Sequence, residues 1–204
     1  MTQSGSVIRA LAGSVGLCAT GALAFSFFRY WQRRHRTLVI EKELETGETL
    51  IVRPGSEKDS EVIHGMVKRL AEFERMPEAV ETTPQTLSED YKANQYWTAI
   101  AELNGRPVGF ALFFPIYSTW EGRSIHLEDL YILEGDRSKG VGLVMLQYVA
   151  KFAEARGCAR VEWAALDWNV KAHDFYERLG ANKMPEWIKF RLDRRGIQKV
   201  AYSC

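Results

Sequence analysis

Asn104-Gly105 stands between two runs rich in alternating apolar residues, Tyr96–Leu103 and Pro107–Ile116. Asn-Gly supplies the two left-handed residues that a two-residue hairpin turn needs, so this pair predicts an antiparallel hairpin in mid-chain. A loop, Tyr117–Arg123, then leads to Ser124–Leu133, which extends the hairpin to three consecutive antiparallel strands. The flanking periodicity alternates between two and 3.6. Thr49–Arg53 reads as a short strand closed by Pro54-Gly55. Ser56 and Asp59 offer cap oxygens to a helix ending at Glu74, with Val62, Ile63, Met66, Val67, Leu70 and Phe73 on one face. Pro84 opens a short helix to about Ala93. Downstream, Gly140–Arg156 is helical with Leu143, Leu146, Val149 and Phe152 inward, and Gly157 stops it. Val161–Ala165 is a buried strand, Asn169 caps a helix running to Leu179, and Trp187–Leu192 and Lys199–Tyr202 close the domain as strands. This order describes one α/β (α+β) domain over residues 46–204.

Charge separates that domain from the first 45 residues. Residues 1–40 hold five arginines and no acid or lysine, whereas the rest holds 22 basic and 26 acidic residues and carries −4. A mildly acidic domain with a short basic arm excludes a nucleic-acid partner recognised by bulk charge, and 12% aromatic content excludes disorder. Ala10–Phe28 is an uncharged run of 19 residues, about 28 Å long as a helix, against a hydrocarbon core of about 30 Å. Tyr30, Trp31 and the Arg33–Arg36 cluster follow it, which suits a signal anchor with the domain on the cytoplasmic side. An acid-free, arginine-only start equally suits a mitochondrial targeting segment. Cys18, Cys158 and Cys204 are too dispersed for a disulfide framework, and with four scattered histidines they form no metal-ligand pattern.

Three segments carry chemistry. Arg137-Ser138-Lys139-Gly140-Val141-Gly142 joins a strand to a helix, where free backbone N–H groups and the helix dipole favour a phosphate or pyrophosphate. Met145 stands where a dinucleotide fingerprint needs its third glycine, and no Gly-Lys-Ser/Thr is present for a nucleotide triphosphate loop. Upstream, His126-Leu127-Glu128-Asp129-Leu130-Tyr131 sets two carboxylates on opposite faces of an apolar strand. One of them must meet a core or cleft, which suits a proton acceptor or cation binder. Tyr176 lies in the helix after Trp168-Asn169, and a phenol with a reference pKa of about 10 can protonate a strongly basic leaving group. Cys158 has no neighbouring base, which argues against a covalent thiol intermediate.

In this order and spacing the three segments resemble the GNAT superfamily of N-acetyltransferases over roughly residues 51–192. Leu70-Ala71-Glu72-Phe73-Glu74, Tyr117-Ser118-Thr119-Trp120, Leu127-Glu128-Asp129 and Leu166-Asp167-Trp168-Asn169 narrow the likeness to the diamine acetyltransferase branch. The second and fourth look more like its thialysine-acetylating member than its spermidine/spermine member. The resemblance implies a mixed, mostly antiparallel twisted sheet flanked by helices, here preceded by a hydrophobic N-terminal helix. It implies acetyl-CoA as co-substrate with no metal, a small primary amine as acceptor, and a homodimer. The acetyl-CoA contacts it implies are Leu130, Tyr131 and Ile132 on the strand, Arg137, Ser138, Lys139, Gly140, Val141, Gly142 and Leu143 in the loop, and Asn169, Val170, Lys171, Ala172 and Arg178 in the later helix. Glu128 becomes the proton acceptor and Tyr176 the proton donor. Phe73, Glu74, Glu128, Glu162, Trp163, Ala164 and Glu186 become the amine site. Ser138 departs from the glycine usual in close relatives, and the first forty-odd residues match nothing in the branch. A spermidine/spermine acetyltransferase and a membrane-tethered CoA-binding module without activity are the alternatives.

Overall fold

The computed structural model describes residues 38–203, so the hydrophobic helix expected at residues 10–28 lies outside the described residues. Among the described residues no helix is long and apolar enough to cross a membrane. Within them, β1 (Ile40–Glu43), β2 (Thr49–Pro54), β3 (Trp97–Leu103), β4 (Arg106–Ser118), β5 (Gly122–Ile132) and β6 (Arg160–Glu162) form one sheet in chain order. Neighbours are antiparallel except β5 and β6, which are parallel. The helices are α1 (Ser60–Phe73), α2 (Pro84–Lys92), α3 (Val141–Glu154), α4 (Val170–Arg178) and α5 (Arg194–Ala201). The chain divides into two compact units, one ending at Trp163 and one beginning at Ala164.

In the first unit the sheet is covered on both faces. Val144, Met145, Tyr148, Val149 and Phe152 of α3 pack on Leu50, Val52, Phe113, Ile125 and Leu127. On the opposite face, Ile63 and Met66 of α1 and Leu87 of α2 pack with Tyr96, Ile100, Phe110 and Tyr131. Phe152 anchors the first layer, with Phe113 and Trp97 at centroid distances of 4.8 and 4.9 Å. The Asn104-Gly105 turn forms as the sequence predicts, both residues having positive φ. α1 follows a capping box in which the Ser56 hydroxyl accepts from the Lys58 N–H and Asp59 accepts from the Ser56 N–H. Gly157 ends the α3 segment in a Schellman turn, with Cys158 N–H donating to Ala153 O and Gly157 N–H to Glu154 O.

Two irregularities decide which side chains reach which face. Residues on the α3 side of β4 and β5 switch parity, because β4 carries an extra residue at Val108 and β5 an extra residue at Glu128. Thus Ile125 and Leu127 face α3 before the second bulge, and Leu130 and Ile132 face it afterwards. Gly109 permits the approach: a Cβ there would lie 2.7 Å from Tyr131 O.

Several sequence expectations are corrected. β1 begins at Ile40, ahead of the expected boundary at residue 46, because Leu44 and Glu48 close a hairpin that the charged Glu-Lys-Glu run conceals. The Tyr117–Arg123 loop shrinks, since β4 runs to Ser118 and β5 starts at Gly122. The α3 face is centred on Val141, Val144, Met145 and Tyr148, leaving Leu143 and Leu146 half-buried. Val62 and Phe73 of α1 are largely exposed. β6 spans Arg160–Glu162 rather than Val161–Ala165. Trp187–Leu192 forms no strand, and Lys199–Tyr202 falls in and just after α5, capped by Asp193 through its contact with the Gly196 N–H. Alternation at 187–192 suits pairing, yet among the described residues the second unit contains no strand with which they could form a ladder.

A polar clasp fixes the turn before α3. Asp136 is buried and takes both Arg106 guanidinium nitrogens at 2.9 and 3.1 Å, while Lys139 bridges Asp136 and Glu48 at 3.2 and 3.0 Å. The Arg106 hydrogen bonds, with those of Lys139, hold the Asp136 carboxyl below the usual carboxylate range against the opposing effect of burial. A lowered carboxyl contributes stability above its unfolded pKa and loses it as pH falls through the folded value. Asp136→Asn therefore lowers the melting temperature at pH 7 by about 2–4 °C, the shift of ~1 kcal/mol after discounting for solvent around Arg106 and Lys139. Thermal melts from pH 7 to pH 2 check this, and the gap from the unsubstituted protein closes only at the acid end.

Candidate active site

The bulge at Glu128 gathers carboxylates on one face of β5. Leu112 pairs with Asp129 and Phe113 with Leu127, so Glu128 has no partner of its own on β4. The expectation of opposite faces for Glu128 and Asp129 is therefore corrected: both lie on the α1 side of the sheet, because the extra residue cancels the alternation. Burial, followed by the charges of Glu128 and Glu74, pushes the Asp129 carboxyl up to about 7. Glu128 itself is open to solvent, with His126 Nε2 3.3 Å from its Oε2.

Glu74 arrives from the end of α1. There Arg75 adopts φ 62° and the N–H groups of Arg75 and Met76 return to Glu72 O and Ala71 O, turning the chain sharply. Burial raises the Glu74 carboxyl. Beside it, the Phe73 ring lies under the Arg137 guanidinium, 4.7 Å from its centroid, and the same guanidinium is 5.5 Å from the Tyr131 centroid. Arg137 Nε also donates to Ile132 O at 3.0 Å. Phe73, Tyr131 and Arg137 are thus linked, and charge connects Asp129 to both Glu74 and Glu128. Glu162, on β6, pairs with Arg160 at 2.9 Å, and Trp163 packs against the α3 core.

The loop before α3 meets the requirements of an anion site. Ser138 and Gly140 have φ of 63° and 85°, which turn the chain so that α3 starts with no side-chain cap. Val144 N–H makes the first bond of the helix, to Gly140 O, so the N–H groups of Val141, Gly142 and Leu143 precede the intrahelical ladder. A Cβ on Gly140 would meet nothing within 4 Å, which shows open space at the turn. Lys139 does not add a free cation here, because Asp136 and Glu48 hold its ammonium. Next to the loop, β6 pairs with β5 only at Ser124–His126, so one edge of Leu127–Ile132 carries no strand among the described residues. Leu130, Tyr131 and Ile132 lie on that stretch. An open edge beside a helix N-terminus fits a long chain ending in phosphates, the chemical form of CoA.

The second unit holds the remaining expected residues. Asn169 caps α4 through the Ala172 N–H at 3.4 Å, which sets Val170, Lys171 and Ala172 in its first turn. Tyr176 lies near the other end, its ring 5.2 Å from that of Phe175, and burial pushes its phenol upward. Arg178 is the last residue of α4, and Gly180, at φ 86°, ends the turn. Ala164 and Glu186 are exposed and outside regular structure.

Two residues escape the sequence reading. Asp129 was visible as half of an acidic pair, but only the bulge reveals that it is the buried half. His126, in sequence only one of four scattered histidines, stands between Glu128 and Glu162. Among the described residues no group of three or more His, Cys, Asp or Glu side chains could hold a metal ion. Burial raises the Cys158 thiol, which disfavours a thiolate nucleophile.

Comparison with known proteins identifies the family. The model of the acetyltransferase (GNAT) family matches residues 64–181. The thialysine N-epsilon-acetyltransferase of Mus musculus is 34% identical over 163 residues, 74% of this chain and 96% of the relative. The enzyme of the same name from Caenorhabditis elegans is 36% identical over 145 residues, 70% of this chain and 91% of the relative. An aminoglycoside N-acetyltransferase solved in complex with CoA shares the fold at a TM-score of 0.60 and 18% identity, covering 72% of this chain and 97% of that one. The chain belongs to the GNAT acetyltransferase family and is an acetyl-CoA-dependent N-acetyltransferase.

Proposed function

We propose that this enzyme acetylates the side-chain amine of a small cationic amino acid, of the thialysine or lysine type, by direct attack on the acetyl-CoA thioester. The observation that carries the reading is the acidic face of Glu74, Glu128 and Asp129 at the β5 bulge, beside an open strand edge and an uncapped helix N-terminus. The activity for which the mouse and nematode relatives are named supports the substrate class.

A side-chain amine of pKa about 10.4 is only about 0.04% neutral at pH 7, a handicap of roughly 4.6 kcal/mol. Negative charge concentrates the cation, and a nearby acceptor must then remove its proton. Glu128 takes that role, since it is exposed enough to meet substrate. Tyr176 donates to the departing thiolate, and the N–H groups along Leu130–Ile132 and at the start of α3 hold the pantetheine arm and pyrophosphate. Acetyl-CoA supplies the activated acyl carbon; every other function is assigned to side chains and backbone of this chain. Asp129 favours a second reading, because a carboxyl titrating at about 7 is matched to proton transfer at neutral pH.

Glu128→Gln lowers kcat by about a hundredfold or more, as expected for a lost acid–base group, with acetyl-CoA affinity retained. Tyr176→Phe does the same. Steady-state kinetics paired with acetyl-CoA binding check both. Should Asp129→Asn abolish turnover while Glu128→Gln spares it, the acceptor is Asp129. With purified protein, acetyl transfer to thialysine exceeds transfer to spermidine at equal concentration, and the reverse order rejects the amino-acid substrate class.

A further inference from the structure

Acetylating an ammonium releases two protons. RNH3+ and the thioester give the amide, the free thiol and one H+, so after the thiolate takes one proton another must leave the protein in every cycle. This inference rests on Glu128 as first acceptor. A carboxyl that keeps its proton cannot serve the next cation.

His126 precedes Glu128 by two residues, and strand alternation puts both on one face of β5. Its Nε2 is 3.3 Å from Glu128 Oε2, and its Nδ1 is 3.9 Å from Glu162 Oε1. Register explains the placement: His126 lies opposite Phe114 on β4 and Glu162 on β6. The Phe114 ring flanks the imidazole at 5.1 Å between centroids and limits its rotation. Glu162 is itself fixed by Arg160 Nη2 at 2.9 Å, and Arg160 Nη1 is held by Glu121 at 2.7 Å. The His126 side chain is 19% exposed, whereas Glu128 and Glu162 are 49% and 43% exposed. A sheltered ring therefore joins two carboxylates that reach solvent. The charged groups around it are Glu128 on its own strand, with Asp129 beyond and Glu74 from the end of α1, and Glu162 and Arg160 on β6; β4 presents the Phe114 ring.

We propose that His126 is a relay and positioning residue that clears Glu128 after each proton abstraction. The Glu128 O–H bond breaks as a bond to Nε2 forms; the Nδ1–H bond breaks and that proton passes through a bridging water to Glu162 and then to bulk. At 3.9 Å the two atoms are too far apart for a direct hydrogen bond, so the proposed path includes a water beside them. Between cycles the ring regains its first tautomer by exchange with solvent at its exposed edge. Imidazole chemistry suits the task because it takes and gives a proton near neutral pH.

The test uses the full chain with thialysine and saturating acetyl-CoA from pH 6 to pH 9, with and without added imidazole. His126→Gln preserves a donor for Glu128 but cannot carry a proton. It lowers kcat at pH 7 by about tenfold or more, leaves the amine KM near that of the unsubstituted protein, and regains most of the loss with imidazole. Glu162→Gln, on the exposed edge strand, shows a smaller loss that imidazole also relieves, and it carries the test should His126→Gln not fold. An unchanged kcat, or a loss that imidazole does not relieve, overturns the relay. Glu128→Gln run alongside separates the two levels: full activity there rejects Glu128 as acceptor, while lost activity there with an unaffected His126→Gln rejects only the relay.

Discussion

One extra residue in β5 decides which carboxyls share a face of the sheet. A regular strand would alternate Glu128 and Asp129 across the sheet and drive one of them toward the apolar layer under α3. The bulge turns both to the α1 side, where Glu74 joins them, and returns Leu130 and Ile132 to the α3 layer. Crowding three carboxyls raises the energy of their ionised forms, a cost that an arriving cation offsets. Apolar packing on both faces supplies the rigidity that keeps such a cluster assembled, with Leu127 and Tyr131 buried on opposite sides of it.

The second constraint is the geometry of the loop into α3. Asp136 is clasped by Arg106 from β4 and by Lys139, and Lys139 reaches on to Glu48 in the β1–β2 turn. These contacts consume the Lys139 ammonium, while Arg137 lies over the Phe73 and Tyr131 rings. What they leave is backbone: an uncapped helix start, shaped by left-handed Ser138 and Gly140. Ser138 holds a left-handed φ of 63° that glycine would meet without a Cβ, so the serine adds local strain while the chain keeps its turn into α3.

Much of this was legible in the sequence. The Asn104-Gly105 turn, the caps at Ser56 and Asn169, and the stops at Gly157 and Gly180 rest on local stereochemistry, and all of them form. The glycine loop and the Glu128-Asp129 pair were legible for the same reason. Bulges were not, because they arise from strand register and packing rather than from a residue type. That hid the shared face of Glu128 and Asp129. At the C-terminal end, alternation in Trp187–Leu192 suggested a strand, but alternation specifies pairing only where a partner strand exists. β1 was missed for the opposite reason, since its charged residues mask a strand held by backbone bonds to β2.

The central claim is that the open edge of β5 and the start of α3 together hold acetyl-CoA beside the acidic face. Backbone hydrogen exchange measured with and without acetyl-CoA tests it most directly. Slowed exchange is expected at the amides of Leu130–Ile132 and Val141–Leu143, with α2 unchanged. Saturable binding that leaves those amides exchanging as in the free enzyme would contradict it.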